Sequence, residues 1–228
     1  MKRSILLVPV IAVAVAAIST AHAGATGKLD EVLAKMESAA RTIKSIEADM
    51  RQEKRDMQIG GKEIYSGHIY FSHGSKRDDR VRINYSIPQG QVVGVLGDQI
   101  ILYQPNINQE IITSRRAQAS KNQEFSFIAT PYKSVPELKS QYNIVYISDE
   151  QVGSSSTAKL ELTPKGKSSV EKLTLWVDQS SWLPIRYQVA EKNRNVTTFT
   201  LSNLKFNQPL PAQTFDIKVA PGTKIVRQ

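Results

Sequence analysis

Beyond residue 23 the chain carries only two histidines, His68 and His73, and it has no cysteine at all. Their five-residue separation does not put two imidazoles on one helical face, and no carboxylate stands at a recognisable metal-site offset, so no metal centre is expected. Without cysteine there is no thiol nucleophile, and no G-x-S-x-G turn exposes a serine. Gly166-Lys167-Ser168 has the ending of a phosphate-binding loop, but Glu161 stands where that loop needs its first glycine, and the segment joins two strand-like stretches. It reads as a basic hairpin turn. Asp78 and Asp79 would make a carboxylate pair, yet they sit between Arg77 and Arg80 and read as a solvated charge cluster. Asn195-Val196-Thr197 fits the glycan acceptor pattern, which means little if the source is bacterial. The chemistry that needs reactive groups or a cofactor is therefore not expected, and a binding protein is.

The elements that would position a binding surface follow from periodicity. From Thr26 to about Arg41 the residues Leu29, Val32, Leu33, Met36, Ala40 and Ile43 recur at three- and four-residue steps, which predicts an amphipathic helix. At Ile46 the period switches to two, with Ile46, Ala48, Met50 and Gln52 alternating with charged residues as a half-buried strand requires. Alternation predicts further strands around Tyr65–Phe71, Val81–Ile87, Gln91–Leu96, Gln99–Tyr103 and Glu110–Ser114, with Gly97-Asp98 as a tight turn. Between Gln123 and Gln141 two short helices are expected, the second starting at Ser134-Val135-Pro136-Glu137 with a serine cap. Strands return at Asn143–Ser148, Ala158–Thr163, Val170–Val177, Leu183–Glu191 and Val196–Phe206, with a hairpin loop at Gly153. Thr214–Val219 and Thr223–Arg227 are expected as a strand-like tail that could supply an edge. Such regular spacing predicts an antiparallel sheet.

Residues 1–23 fix the expected compartment. Lys2 and Arg3 precede an apolar run from Ile5 to Ile18 that is interrupted by Pro9, and Ala21-His22-Ala23 is a small-x-small cleavage site. The run is shorter than the roughly 20 residues a membrane span needs, so a signal peptide cut near Ala23 is expected, leaving one domain over residues 24–228. No cysteine follows the cut, which excludes an acylated N-terminus and a disulfide framework and suits a bacterial envelope. The signal holds two of the 30 Lys and Arg and no acid, so the remainder carries a net charge of +7. That balance favours anionic lipid head groups; nucleic acid is not expected, because the basic residues are scattered and the chain is exported.

The sheet and helices offer more apolar faces than one flat sheet needs. Met36, Met50, Tyr65, Ile69, Phe71, Val81, Ile83, Tyr85, Phe125, Phe127 and Ile128 are candidates for the lining of an apolar cavity, although periodicity alone equally allows an ordinary packed core.

The chain resembles the LolA-type periplasmic carriers of outer-membrane lipoproteins over nearly its whole length beyond the signal. The resemblance rests on the order and spacing of Ile46-Glu-Ala-Asp-Met-Arg-Gln52, Gly67-His-Ile-Tyr-Phe71, Arg82-Ile-Asn-Tyr85 closed by Pro88, and Gly97-Asp-Gln-Ile-Ile-Leu-Tyr103-Gln-Pro105 followed by Gln109. Gln141-Tyr-Asn-Ile144, Leu160-Glu-Leu-Thr-Pro-Lys165 and the Phe215 to Val226 tail continue it. It implies a half-open antiparallel β-barrel covered by an α-helical lid over an apolar cavity in which Val81 matches a lining residue of the family; with the periodicity, the expected lining is Met36, Met50, Ile69, Phe71, Val81, Ile83, Tyr85 and Phe127. It also implies a monomer that takes lipoprotein acyl chains from an ATP-driven (ABC-type) inner-membrane release complex and hands them to an outer-membrane lipoprotein acceptor. In the family an arginine before the third strand latches the lid. Counting back from Pro88 puts Arg77 there, and a loop about four residues longer than the usual pattern makes Arg80 the other candidate; the usual Arg-Pro pair is absent. A carrier of free phospholipid or glycolipid with the same fold, and a periplasmic hydrolase, are the alternatives.

Overall fold

Period-two alternation becomes a single large sheet in the computed structural model, which describes residues 19–74, 79–115, 117 and 134–228, with side chains from residue 27. Its strands are β1 (Ser45–Asp56), β2 (Gly61–Ser72), β3 (Arg80–Ile87), β4 (Val92–Leu96), β5 (Gln99–Gln104) and β6 (Gln109–Ser114). After helix α2 (Val135–Gln141) come β7 (Tyr142–Val152), β8 (Ser155–Pro164), β9 (Val170–Asp178), β10 (Pro184–Glu191), β11 (Val196–Phe206) and β12 (Lys224–Arg227). They pair in the order β12-β6-β5-β4-β3-β2-β1-β11-β10-β9-β8-β7, an open sheet in which β1 joins the N-terminal half to β11 of the C-terminal half. Every pairing is antiparallel except β12 on β6, so the tail does supply an edge, in parallel.

Helix α1 runs from Ser19 to Thr42 and so begins seven residues ahead of the point where its apolar stripe becomes readable. Its last turn leads within three residues into β1. The second of the two helices expected in the middle of the chain is α2, with Ser134 Oγ accepting a hydrogen bond from the Glu137 amide and proline in the first turn. The first of the two, with Phe125, Phe127 and Ile128, lies outside the described residues.

The strand expected at Thr214–Val219 is not formed. Residues Ala212–Phe215 make a 3₁₀ turn, and the chain then runs extended across the sheet face opposite α1. Side chains take its polar backbone groups: Arg82 Nη1 donates to the Thr214 and Asp216 carbonyls, and the Ala220 amide donates to the Tyr103 hydroxyl. Phe215 is buried, and Ile217 fills the hollow above Gly94. Alternation misled here because any extended segment laid on a sheet shows period two.

The turn between β9 and β10 shows how local chemistry holds a strand connection. The buried Asp178 carboxylate accepts bonds from Ser180 Oγ, Ser181 N and Ser181 Oγ, while Trp182 takes a left-handed conformation at φ 56°. Burial alone would push this carboxyl up, but the bonds from Ser180 and Ser181 outweigh it and leave it below the ordinary value. A depressed carboxylate stabilises the fold above its unfolded pKa, and the contribution disappears as pH falls through the folded one. Asp178→Ala should therefore lose about 1–3 kcal/mol in urea unfolding at pH 7. The gap between wild type and variant should close below about pH 4, and a gap independent of pH would show that ionisation of this group is not involved.

Candidate functional site

One face of the sheet is apolar from β3 through β1 to β8, and α1 and α2 pack against β7 and share the buried cluster that this face forms. On α1 the three-four spacing turns Val32, Leu33 and Met36 toward the sheet, and on α2 Val135 and Leu138 face the same way. Helix α1 contacts β7 and α2. Lys35 extends from its polar side to place its ammonium 4.1 Å from the Trp182 ring centroid, which ties α1 to the β9–β10 turn. Exposed pairs between Glu31 and Lys35 and between Glu37 and Arg41 keep the outer face charged.

Of the eight residues expected to line a cavity, Met36, Met50, Ile69, Phe71, Val81, Ile83 and Tyr85 belong to one buried cluster, and Phe127 lies outside the described residues. Cross-strand register explains the gathering: Ile69 pairs with Ile83, Phe71 with Val81, and Met50 with Gly67. Val81 and Ile83 are 0% and 1% exposed. Tyr65 and Tyr85 meet edge to face at 6.3 Å, and Tyr65 donates its hydroxyl proton to Glu63. The same face continues into residues that the reading of the sequence left out, among them Val93, Val95, Leu160, Leu175, Tyr187 and Phe199. Their alternation was equally legible; what was missing was the strand order, which sets Val93 and Val95 of β4 beside β3 and, by pairing β1 with β11, brings the other half onto the same face. Burial holds the Tyr187 phenol well above its ordinary pKa, so it is neutral there.

The latch candidates fall differently. Arg77 lies outside the described residues. Arg80 opens β3, and since Val81, Ile83 and Tyr85 face the helices, alternation puts Arg80 on the other face. Beside it Asp79 stitches the loop, pairing with His73 Nδ1 at 2.7 Å and accepting from Gly74 N, while its carbonyl accepts from Arg115 Nη2 at 3.2 Å.

Both histidines turn out to have carboxylate partners, a correction to the expectation from spacing. His68 Nδ1 lies 2.9 Å from Asp49 Oδ1, and its Nε2 lies 3.2 Å from Glu47 Oε1. Register brings these together across β1 and β2, a relation no sequence offset displays. The carboxylates are already engaged elsewhere: Lys205 holds Glu47 below the ordinary range, as Asn203 and then His68 do for Asp49. Each charge is thus compensated at the surface, and among the described residues no group of three His, Asp or Glu is arranged to hold a metal. A groove of about 420 Å³ at the same end of the sheet, sharing Asn203 with this cluster, is lined by Ser154, Ser155, Ser180, Ser181, Thr200 and Asn203 over Val152 and Ile185. The arrangement that stands out is physical rather than chemical: a continuous apolar face under two helices, one of them N-terminal to the whole sheet.

Solved structures share this fold at low identity. An uncharacterised conserved protein from Thermus thermophilus is 12% identical, with a TM-score of 0.57 over 88% of this chain and 99% of its own. MucB is 13% identical, with a TM-score of 0.56 over 88% of this chain and 66% of its own. A DUF1329 family protein from Desulfovibrio piger is 15% identical, with a TM-score of 0.51 over 82% of this chain and 95% of its own. No curated protein matches. Residues 41–218, from the end of α1 through the strapping tail, match the family described as outer membrane lipoprotein carrier protein LolA. The open sheet with its helical cover and the match over most of the chain agree, and the chain belongs to the LolA family of outer membrane lipoprotein carriers.

Proposed function

We propose that this protein is a periplasmic carrier that accepts lipoprotein acyl chains on the face beneath α1 and α2, shields them in transit and passes them on without covalent chemistry. The observation that carries the reading is the apolar face that runs from β3 through β1 to β8 and forms one buried cluster with α1, a helix that the sheet does not need for its own pairing. Magnitudes support it. The α1 stripe of Val32, Leu33 and Met36 is worth about 1.5–3 kcal/mol per side chain when buried. An acyl chain of roughly 16 carbons offers about 0.8 kcal/mol per methylene, enough to replace those contacts. Cargo and helix thus compete for the same surface, and transfer needs only a difference in affinity between the covered and uncovered states.

In this reading residues 1–23 are the export signal, residues 24–228 are the carrier, and the protein works as a monomer. An ATP-driven inner-membrane complex delivers the cargo and an outer-membrane acceptor receives it. The latch role falls to Arg77 or Arg80, the two arginines ahead of the β3 cavity residues.

Depletion in the native host, followed by fractionation of lipoproteins between the two membranes, tests this. Lipoproteins should accumulate at the inner membrane; an unchanged distribution overturns lipoprotein transport. Mass spectrometry of lipid carried by the purified protein separates acylated peptide, as proposed, from free phospholipid or glycolipid.

A further inference from the structure

In an antiparallel sheet alternate hairpins open toward the same end, and here that end is apolar. Of the eight large hydrophobic side chains exposed among the described residues, Met57, Ile59, Ile64, Ile87 and Ile107 all sit there, and none sits in a turn at the other end. Ile59 is 83% exposed and Met57 58%, both on the β1–β2 tip. Ile87 closes β3, and Ile107 stands on the 3₁₀ turn between β5 and β6.

The β1–β2 tip is built to project these side chains. Asp56 Oδ1 accepts the Gln58 and Ile59 amides at 2.9 and 3.3 Å, and Gly60 supplies the φ of 73° that the turn requires. Asn195 Oδ1 accepts the Met57 amide, bracing the tip against the β10–β11 hairpin. Amides that are already bonded can approach a low-polarity surface without the cost of an unmet donor. Behind the apolar residues stand Lys54, Arg55 and Lys62, with Lys192 and Arg194 on the braced hairpin. Four carboxylates stand among these cations: Glu53 pairs with Arg55 at 2.7 Å and Lys62 at 3.2 Å, Asp56 is bound into the turn, Glu63 accepts from the Tyr65 hydroxyl, and Glu191 lies beside Lys192, so the five cations exceed the acids by one.

From this arrangement we infer that the β1–β2 tip is a membrane-docking element that inserts Met57 and Ile59 among the head groups of an anionic phospholipid bilayer, with the cations behind it on the phosphates. A protein partner would favour one contiguous apolar patch with a polar rim; separate aliphatic points on successive tips, backed by cations in a chain of net charge +7 beyond residue 23, match a lipid interface instead. The inference goes beyond the carrier reading and does not depend on the cargo.

The absence of cysteine makes the test direct. Full-length Ile59→Cys carrying an environment-sensitive nitrobenzoxadiazole label is mixed with vesicles of phosphatidylglycerol and phosphatidylethanolamine, or of phosphatidylcholine alone. The label should shift to the blue with the anionic vesicles, and the same label on Asp98→Cys, at the opposite end of the strands, should not. In unlabelled protein, Met57→Ser with Ile59→Ser should lower vesicle partitioning by about tenfold or more, with an unchanged circular dichroism spectrum. Equal shifts from both labels, partitioning unaffected by the double substitution, or a response only to vesicles that contain membrane proteins would each overturn the inference. No lipoprotein is present, so failure here leaves the carrier reading standing, and failure of lipoprotein transport leaves docking measurable.

Discussion

Gly67→Ala should remove about 2–4 kcal/mol of stability, which in a chain of this size lowers Tm by about 5–15 °C. A Cβ at this position would lie 2.3 Å from the Asn84 carbonyl oxygen and 2.9 Å from Tyr85 Cα. Both are backbone atoms, so relief requires β2 and β3 to separate. The register between these strands shifts between Ser66 and Gly67, and it is the missing side chain that lets the backbones close at that bulge. Because β3 carries Val81, Ile83 and Tyr85, the same displacement should disturb the candidate cargo face. Gly94→Ala is the informative control: its Cβ would meet Ile217 Cδ1 at 2.4 Å, the flexible end of a side chain on the strapping tail. Thermal denaturation should show a much smaller loss for Gly94→Ala, and equal losses would mean that backbone contact does not set the cost at Gly67.

Leu33→Ala should act on α1 rather than on the whole fold. Leu33 is buried at the centre of the α1 stripe, and truncation of such a leucine costs about 2–5 kcal/mol. If α1 is a separable cover, that loss falls on its local opening, and α1 amides should exchange about 30-fold faster or more. Amides of β8, β9 and β10 should keep their protection, since those strands pair with one another and not with α1. Hydrogen exchange read by mass spectrometry decides the point. Uniform acceleration across sheet and helix would make α1 an inseparable part of the core and remove the physical basis for a lid. A separable α1 also lowers the cost of uncovering Val81 and Ile83, so lipid uptake by the variant should be faster.

Much of the fold was legible in the sequence because its signals are local. The switch from a 3.6-residue to a two-residue period near Ile46 reflects which side of its own backbone each side chain occupies, and β1, β3, β9 and β11 appear close to where alternation places them. The serine cap before α2 and the glycine turns at Gly97 and Gly153 are local in the same sense. Seven of the eight expected lining residues share one buried cluster for that reason: six have one parity on β1, β2 and β3, and Met36 lies on the apolar stripe of α1. The Thr214–Val219 segment marks the limit, because extended backbone alternates whether it pairs in a ladder or is held by Arg82 and Tyr103.

The sequence by itself determined the element types, the apolar faces, the absence of thiol chemistry and, through its ordered motifs, the family. Only the tertiary structure decided which strands are neighbours. It brought His68 to Glu47 and Asp49, joined the two halves through β1 and β11, set β12 parallel to β6, and gathered Met57, Ile59, Ile87 and Ile107 at one end. The reason is that pairing and register depend on contacts between residues distant in the chain. A side chain's parity is set by its own backbone, whereas its partner is set by the sheet as a whole.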